Sequence, residues 1–251
     1  MFRTFPLIRQ TLRGVCASGV HEARLGREEF GGEVHVFSPA YSSADLEELV
    51  KISDHLVFNS FTQWRGAQEI LERAKRPVSC GLRVNPEHSE AKVEMYDPCA
   101  RYSRLGIRFT EFEGQDITGI SGLHFHALCE QNADALARTL VSFEERFDKY
   151  IRKMKWINFG GGHHITREDY DVDMLCDLIT RFREKYGVEV YLEPGEAVAL
   201  NAGVLVSSVM DIKRNEKHLA ILDTSATTHM PDVLEMPYRP VIRGAEKPDH
   251  F

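Results

Sequence analysis

Short apolar runs alternate with amphipathic segments along most of the chain, which predicts strands followed by helices. The runs are rich in Val, Ile, Leu and Phe, and each stops at a small or polar residue. The predicted strands cover 15–18, 34–37, 55–59, 78–84, 120–127, 155–159 and 189–192. The predicted helices cover 7–12, 21–30, a segment beginning at 43, 62–74, 132–151 and 173–186.

Repeated strand–helix alternation favours a parallel sheet, closed as a barrel or open. The chain contains no G-x-G-x-x-G, which argues against a Rossmann sheet. The series begins with a helix, and the stretch 87–114 interrupts it as a long loop. We therefore predict an α/β fold, a (β/α)8 TIM-like barrel that lacks its first strand or strands.

The alternation stops after Glu196. The stretches 198–213 and 219–224 are apolar and β-branched with no helix between them, which predicts the beginning of a C-terminal all-β domain. The expected domains are 1–200, a barrel incomplete at its amino end, and 201–251, an incomplete β-domain. The chain is expected to be a piece of a longer protein, truncated at both ends.

Composition and charge exclude several classes of function. The chain is 43% hydrophobic and 27% charged, with 38 acidic and 31 basic residues and a net charge of −7. This balance carries no electrostatic signature of nucleic-acid or anionic-membrane binding. Five scattered cysteines without a C-x-x-C motif indicate a reducing compartment. Because no signal peptide or membrane-spanning apolar run is present, we expect a cytoplasmic protein.

The glycine run Gly160–Gly162 follows an apolar strand and precedes a helical segment. Glycines let the backbone turn tightly and approach a ligand closely. Backbone N–H groups that converge between a strand and a helix bind anions such as phosphate. The alternative interpretation is a flexible loop between strand and helix.

Two further motifs lie at predicted strand ends. His124 and His126 are two positions apart on one strand and therefore face the same side. With His163, His164 and Glu193 they are candidate metal ligands, as in a metal-dependent barrel hydrolase, or they are structural histidines.

Glu193 precedes Pro194 and Gly195, which hold its carboxylate rigidly at a strand end. It is a candidate general base, metal ligand or acceptor for a ligand N–H. The alternative is a loop carboxylate bonded to nearby backbone amides.

The motifs occur in an order that resembles a known family. The chain is similar to the fold-type III pyridoxal-phosphate decarboxylases of the alanine racemase-like group, and within it to the carboxynorspermidine/carboxyspermidine decarboxylases. The residues that carry the resemblance are Gly122-Leu123-His124-Phe125-His126, Asn158-Phe159-Gly160-Gly161-Gly162 and Leu192-Glu193-Pro194-Gly195-Glu196, with support from Tyr96-Asp97-Pro98-Cys99, Ser103-Arg104-Leu105-Gly106 and Met230-Pro231-Asp232.

The resemblance implies a pyridoxal 5'-phosphate cofactor and a role for each matching residue. His126 would stack on the pyridine ring, and Gly160, Gly161 and Gly162 would bind the phosphate through backbone amides. Glu193 would hydrogen-bond the pyridine nitrogen and keep it protonated. The resemblance implies no metal.

Two positions depart from the pattern of related decarboxylases. Glu196 stands where relatives often carry an arginine that holds the phosphate, so we expect Glu196 to face a cation, such as a carboxylated triamine substrate. Asp232 is a second candidate carboxylate for that substrate. Cys129 stands where relatives commonly place a phosphate-binding serine, and its alternative role is simple packing.

The resemblance also implies residues outside the chain. The lysine that forms the Schiff base with the cofactor is expected upstream of Met1, because the first lysine in the chain is Lys51. A C-terminal β-domain would complete the site of a partner subunit in a homodimer. The chain thus carries no catalytic residue of its own, and we expect it to be inactive alone.

The expected function is pyridoxal-phosphate-dependent decarboxylation of carboxynorspermidine or carboxyspermidine to norspermidine or spermidine, in polyamine biosynthesis. A metal-dependent barrel hydrolase, a non-catalytic barrel that binds pyridoxal phosphate and an inactive decayed fragment are the alternatives.

Overall fold

The structure is a computed structural model that describes residues 2–91, 94–235 and 237–244. The chain divides into two compact units, Met1–Leu200 and Asn201–Phe251. The first unit contains seven strands: β1 Gly14–Ala17, β2 Glu33–Phe37, β3 His55–Phe58, β4 Ser79–Arg83, β5 Ile120–His124, β6 Trp156–Asn158 and β7 Glu189–Tyr191.

Helices alternate with these strands. They are α1 Phe5–Ile8, α2 Val20–Leu25, α3 Ser43–Ile52, α4 Phe61–Glu72, α5 Phe109–Phe112, α6 Ala133–Ile151, α7 Val172–Tyr186 and α8 Gly195–Ala199. A wider helical turn, Gly26–Phe30, extends α2, and 3-10 turns cover Phe2–Thr4 and Glu94–Tyr96. Within the described ranges, no helix is both long and apolar enough to cross a bilayer.

The seven strands form one sheet in sequence order, and every neighbouring pair is parallel. The sheet is strongly curled. The ring centroids of His35 on β2 and Tyr191 on β7 lie only 4.5 Å apart. In a flat sheet, five strand spacings would separate these strands by about 24 Å. The predicted α/β fold with a parallel sheet is confirmed as a seven-stranded half-barrel.

Strand alternation explains which side chains line the concave face. On β2, Val34 and Val36 are buried in the main hydrophobic core. His35 and Phe37 point to the opposite side, where they meet Tyr191 and His124. The convex face carries aliphatic residues toward the helices, and the concave face carries the polar and aromatic residues of interest.

The helices cover the convex face with apolar stripes. In α6, the buried residues recur at helical spacing and form a single stripe: Leu136, Leu140, Phe143, Phe147 and Ile151. Ser42 and Asp45 form a reciprocal capping box at the start of α3. Gly187, with φ of 68°, ends α7.

Some predicted boundaries are wrong. The first helix covers Phe5–Ile8 rather than 7–12, because Pro6 suits the first turn of a helix. The strand predicted over 120–127 ends at His124.

The stretch 198–213 forms strand only from Val209 onward. Its first residues complete α8, and the apolar residues 204–206 pair with no strand among the described residues.

The second unit contains an antiparallel hairpin of β8 Val209–Asn215 and β9 Lys217–Leu222. Glu216, with φ of 57°, forms its tight turn. Two one-turn helices follow, α9 Ala226–His229 and α10 Asp232–Glu235. The described part of this unit therefore contains one two-stranded sheet of the predicted all-β domain.

Trp156 fills the interior of the half-barrel near the amino ends of the strands. Its Nε1 donates a 2.8 Å hydrogen bond to Ser79 Oγ, and its ring stacks on His55 with centroids 4.8 Å apart. Gly81 and Gly122 face this ring, and a Cβ at either position would overlap it. The two glycines therefore provide the volume that the indole occupies.

Gly122→Ala is expected to lower the free energy of unfolding by about 1–3 kcal/mol, because the new methyl group overpacks Trp156. Gly66→Ala is the matched control: Gly66 lies in α4 with open space around it, so alanine should stabilise by up to about 1 kcal/mol. Urea unfolding of both variants measures the difference. Equal stability of the two variants would contradict the packing argument.

Candidate functional site

The glycine run follows β6 and is wedged between the ends of β5 and β7. Gly160 and Gly162 adopt φ of 73° and 79°, which favour glycine. A Cβ on Gly161 would lie 2.5 Å from the carbonyl oxygen of Glu193, and Gly160 and Gly162 face similar obstruction from backbone atoms after β5. The loop therefore needs glycine at all three positions to pack against the backbone that follows β5 and β7, whether or not it binds a ligand.

Two of the three glycine amides already have acceptors within the chain. Gly160 N–H donates to Asn158 Oδ1 at 2.8 Å, and Gly161 N–H donates to His126 Nδ1 at 3.1 Å. Gly162 N–H has no acceptor among the described residues. A phosphate bound by all three amides would have to replace the first two of these acceptors.

Glu193 presents its carboxylate to the interior, with 20% of the side chain exposed. Asn158 Nδ2 donates to its Oε1 at 2.8 Å, and His124 Nε2 lies 3.3 Å from its Oε2. Burial acts to raise the pKa of this carboxyl, but His124, His126 and the Asn158 hydrogen bond outweigh burial and lower it to about 2. Glu193 is therefore ionised at neutral pH.

His126 is held as a neutral ring. Burial, the charge of Arg83 and the proximity of His124 lower its pKa to about 4. Its Nδ1 accepts the Gly161 N–H, which requires that nitrogen to be unprotonated. The site thus combines a neutral aromatic ring, a carboxylate and a glycine loop within three neighbouring strand ends.

Arg83 is a site residue to which the sequence assigned no role. It ends β4, is 5% exposed, and donates from Nη2 to the His126 carbonyl at 3.2 Å. Its guanidinium lies 4.5 Å from the Phe37 ring centroid. Burial lowers its pKa to about 10, so it stays cationic at neutral pH.

No carboxylate of the described residues forms a salt bridge with Arg83. Instead, Arg83 and His126 border a cavity of about 540 Å³ under the loop of residues 94–105. Arg83 ends an otherwise apolar strand, so the sequence places it at the same edge as the other polar strand ends without indicating its partner.

Glu196 and Asp232 lie in different parts of the chain. Glu196 is exposed on α8, and its Oε2 lies 3.0 Å from His164 Nε2. Glu130 contributes to the same cluster. Asp232 begins α10 in the second unit. Cys129 is partly buried beside the glycine loop, where a Cβ on Gly162 would approach its backbone nitrogen.

The four histidines of the metal interpretation do not converge as a ligand set. Among the described residues, two groups place three potential ligand atoms within 4.8 Å of one another: Glu33, His35 and His55, and Glu130, His164 and Glu196. The set of His124, His126, His163 and His164 is not such a group. The geometry therefore does not support the four-histidine site of a metal-dependent hydrolase; the convergent group that includes His164 adds the exposed Glu130 and Glu196 instead.

Known proteins resemble the chain over nearly all of its length. No family model matches. A carboxynorspermidine/carboxyspermidine decarboxylase of Campylobacter jejuni is 50% identical over 239 residues, which are 95% of this chain and 62% of that protein. A carboxyaminopropylagmatine decarboxylase of Synechocystis is 42% identical over 99% of this chain and 64% of that protein. The chain spans about three fifths of the length of these curated relatives.

Solved structures of decarboxylases also resemble the chain. The crystal structure of carboxynorspermidine decarboxylase from Campylobacter jejuni, complexed with norspermidine, matches with a TM-score of 0.86 at 48% identity, over 94% of this chain and 61% of that one. Diaminopimelate decarboxylase from Helicobacter pylori, complexed with L-lysine, matches with a TM-score of 0.77 at 15% identity, over 93% and 63%. The second match shows the fold alone.

The fold is that of the fold-type III pyridoxal-phosphate decarboxylases. The sequence of the chain is similar to those of the carboxynorspermidine/carboxyspermidine decarboxylases, and the resemblance predicted from the motifs is confirmed.

Acid should destabilise the chain through its buried histidines. Burial lowers the pKa of His126 and His163 to about 4, from about 6.5 in the unfolded chain. Between these values the unfolded chain binds protons that the folded chain does not, so the free energy of unfolding falls as pH falls. Glu193 lowers the free energy of unfolding further, but only below about pH 4.5, because its pKa in the folded chain is lowered.

Urea titrations between pH 7 and 4.5 measure this dependence, and His163→Asn should reduce its slope by up to one proton, about 1.4 kcal/mol per pH unit. The control is His21→Asn, at an exposed position on α2, which should leave the slope unchanged. A free energy of unfolding that is constant over this range would contradict the buried neutral state.

Proposed function

We propose that this chain binds pyridoxal 5'-phosphate and forms part of an enzyme that decarboxylates carboxynorspermidine or carboxyspermidine to norspermidine or spermidine. The observation that carries the proposal is the ionised Glu193 beside the neutral His126 and the glycine loop. The relatives named above support the choice of reaction and substrate. The bound cofactor would supply an electron-accepting ring for the electron pair released when the C–CO2 bond breaks.

The residues present fit this cofactor. Glu193 carries the charge needed to accept a hydrogen bond from a protonated pyridine nitrogen and to keep it protonated. His126 offers an uncharged ring for stacking on the pyridine face. In the glycine loop, the Gly162 N–H has no acceptor among the described residues and could donate to a phosphate, and the Gly160 and Gly161 amides could join it by leaving Asn158 and His126.

Arg83 supplies a buried positive charge to the site. A buried guanidinium without a carboxylate partner favours an anionic ligand group at the adjoining cavity. In the proposed reaction, the anions available are the carboxylate of the substrate and the oxygens of the cofactor. Arg83 would thus position an anion opposite the Glu193 carboxylate.

Glu196 and Asp232 are the proposed contacts for the ammonium groups of the triamine. Glu196 lies beside His164 and close to Glu130, so this side of the first unit carries two carboxylates. An anionic surface complements a polycationic substrate. Asp232 lies in the second unit, so its role rests on the resemblance alone.

The wider architecture is also part of the proposal. We propose that residues 1–200 belong to a (β/α)8 pyridoxal-phosphate-binding barrel and residues 201–251 to a C-terminal β-domain. The seven-stranded curled sheet and the β8–β9 hairpin support this division. A homodimer is proposed for the whole protein, and its mass in solution tests it.

Cofactor binding can be measured without covalent chemistry. Pyridoxamine 5'-phosphate carries an amine in place of the aldehyde, so it forms no bond with surface lysines. Calorimetric titration should detect binding to the wild-type chain. Glu193→Gln should weaken it roughly tenfold or more, because a charge-assisted hydrogen bond is lost.

Gly66→Ala, remote on α4, is the control and should bind like the wild type. Equal affinity in Glu193→Gln would remove the observation on which the proposal rests. Unfolding curves recorded in parallel separate a binding defect from a folding defect.

Turnover by this chain alone is expected to be absent. None of the lysines described in the first unit lies at the carboxyl end of a strand; Lys51, for example, lies in α3, and Lys92 is outside the described residues. The measurement is CO2 release from carboxynorspermidine in the presence of cofactor. Sustained release would show that a lysine of this chain can tether the cofactor and would contradict the expectation. Binding of pyridoxamine 5'-phosphate without turnover would also suit a non-catalytic cofactor-binding barrel.

A further inference from the structure

A second group of chemically active residues lies near the amino ends of β2 and β3. Glu33 and His35 are the first and third residues of β2, and His55 is the first residue of β3. Parallel pairing places His35 directly opposite His55. Because the sheet is parallel, this group is at the end away from the glycine loop, and the proposed decarboxylase site does not use it.

The three side chains converge. One ligand atom from each lies within 4.8 Å of the other two. His35 Nε2 is 3.1 Å from Glu33 Oε2, and the two imidazole rings have centroids 3.9 Å apart. His55 Nδ1 is buried and has no hydrogen-bond partner among the described residues. A buried ring nitrogen without a partner is costly unless something occupies it.

Hydrogen bonding within the group does not account for it. The contact of 3.1 Å between His35 Nε2 and Glu33 Oε2 leaves His55 Nδ1 without a partner among the described residues. An imidazole binds a metal ion through the lone pair of a ring nitrogen, so this nitrogen is placed to serve as a ligand.

The surroundings hold the rings in place and leave a path to solvent. Trp156 stacks on His55 with centroids 4.8 Å apart, and the Tyr191 ring lies 4.5 Å from His35. Glu33 has 44% of its side chain exposed and His55 is partly exposed, whereas His35 is buried. An ion could therefore enter past the carboxylate and meet two ordered imidazoles.

We propose that Glu33, His35 and His55 bind one divalent transition-metal ion of the zinc class. Two imidazoles and a carboxylate form a common ligand set for such ions, and water would complete the coordination. The ion would link β2 to β3 beneath the decarboxylase site. Its role would be structural, because the cluster lies outside the site at the carboxyl ends of the strands.

The test uses the untagged 251-residue chain, freed of metal by a chelator and titrated with Zn²⁺ by calorimetry. Binding of one ion per chain is expected. Co²⁺ in its place should give visible absorption that reports imidazole and carboxylate coordination. The melting temperature should rise with ion concentration, since the ion binds the folded state.

Variants assign the site. His55→Asn and Glu33→Gln should each weaken Zn²⁺ binding more than about tenfold. His164→Asn, in the other convergent group of Glu130, His164 and Glu196, should leave the affinity unchanged. Glu33 is half exposed at a strand end, so Glu33→Gln decides the matter even if His55→Asn does not fold.

Three results would overturn the proposal: no Zn²⁺ binding by the wild type, wild-type affinity in Glu33→Gln, or loss of binding in His164→Asn alone. The last result would assign the ion to the exposed group beside α8. Circular dichroism of each variant shows whether a change in affinity reflects a change in fold.

Discussion

The proposed decarboxylase site depends on two hydrogen bonds made by the side-chain amide of Asn158. Its Nδ2 donates to Glu193 and its Oδ1 accepts from the Gly160 amide. One buried side chain thus fixes both the carboxylate after β7 and the first glycine of the loop after β6. An aspartate in its place would lose the donor and set two carboxylates side by side, so the amide is the group that fits both neighbours.

The two opposite charges of the site are kept apart. Glu193 is stabilised by Asn158 and the nearby histidines, whereas Arg83 is stabilised by the His126 carbonyl and the Phe37 ring. A direct salt bridge between the two would satisfy both charges and leave little for a ligand. Because they are separate, Glu193 can accept a hydrogen bond from a cationic N–H and Arg83 can bind an anion. A zwitterionic ligand could use both residues at once.

The sequence predicts the residues of the candidate site that lie at strand ends. His126, the glycine run and Glu193 were identified because apolar runs stop beside them and parallel strands end at one edge. The roles of Asn158 and Arg83 were not identified, because they follow from side-chain contacts between strands that are distant in sequence. The strand predicted over 198–213 was wrong in its first part for a related reason: β-branched composition favours a strand, but only a neighbouring strand provides the hydrogen bonds.

Local strand pairing is sufficient to assemble the site, because His124 pairs with Asn158, and Asn158 pairs with Tyr191. Glu193 follows Tyr191 by two residues, so its side chain points to the same face. The hydrogen bond from Glu193 N–H to Gly160 carbonyl at 2.8 Å then continues the ladder beyond the strand ends. The register of β5, β6 and β7 therefore determines the distances between the His126 ring, the Glu193 carboxylate and the glycine loop. These distances do not depend on contact between β1 and β7. Below them, Trp156 of β6 packs against Gly81 of β4 and Gly122 of β5 and fills the concave face.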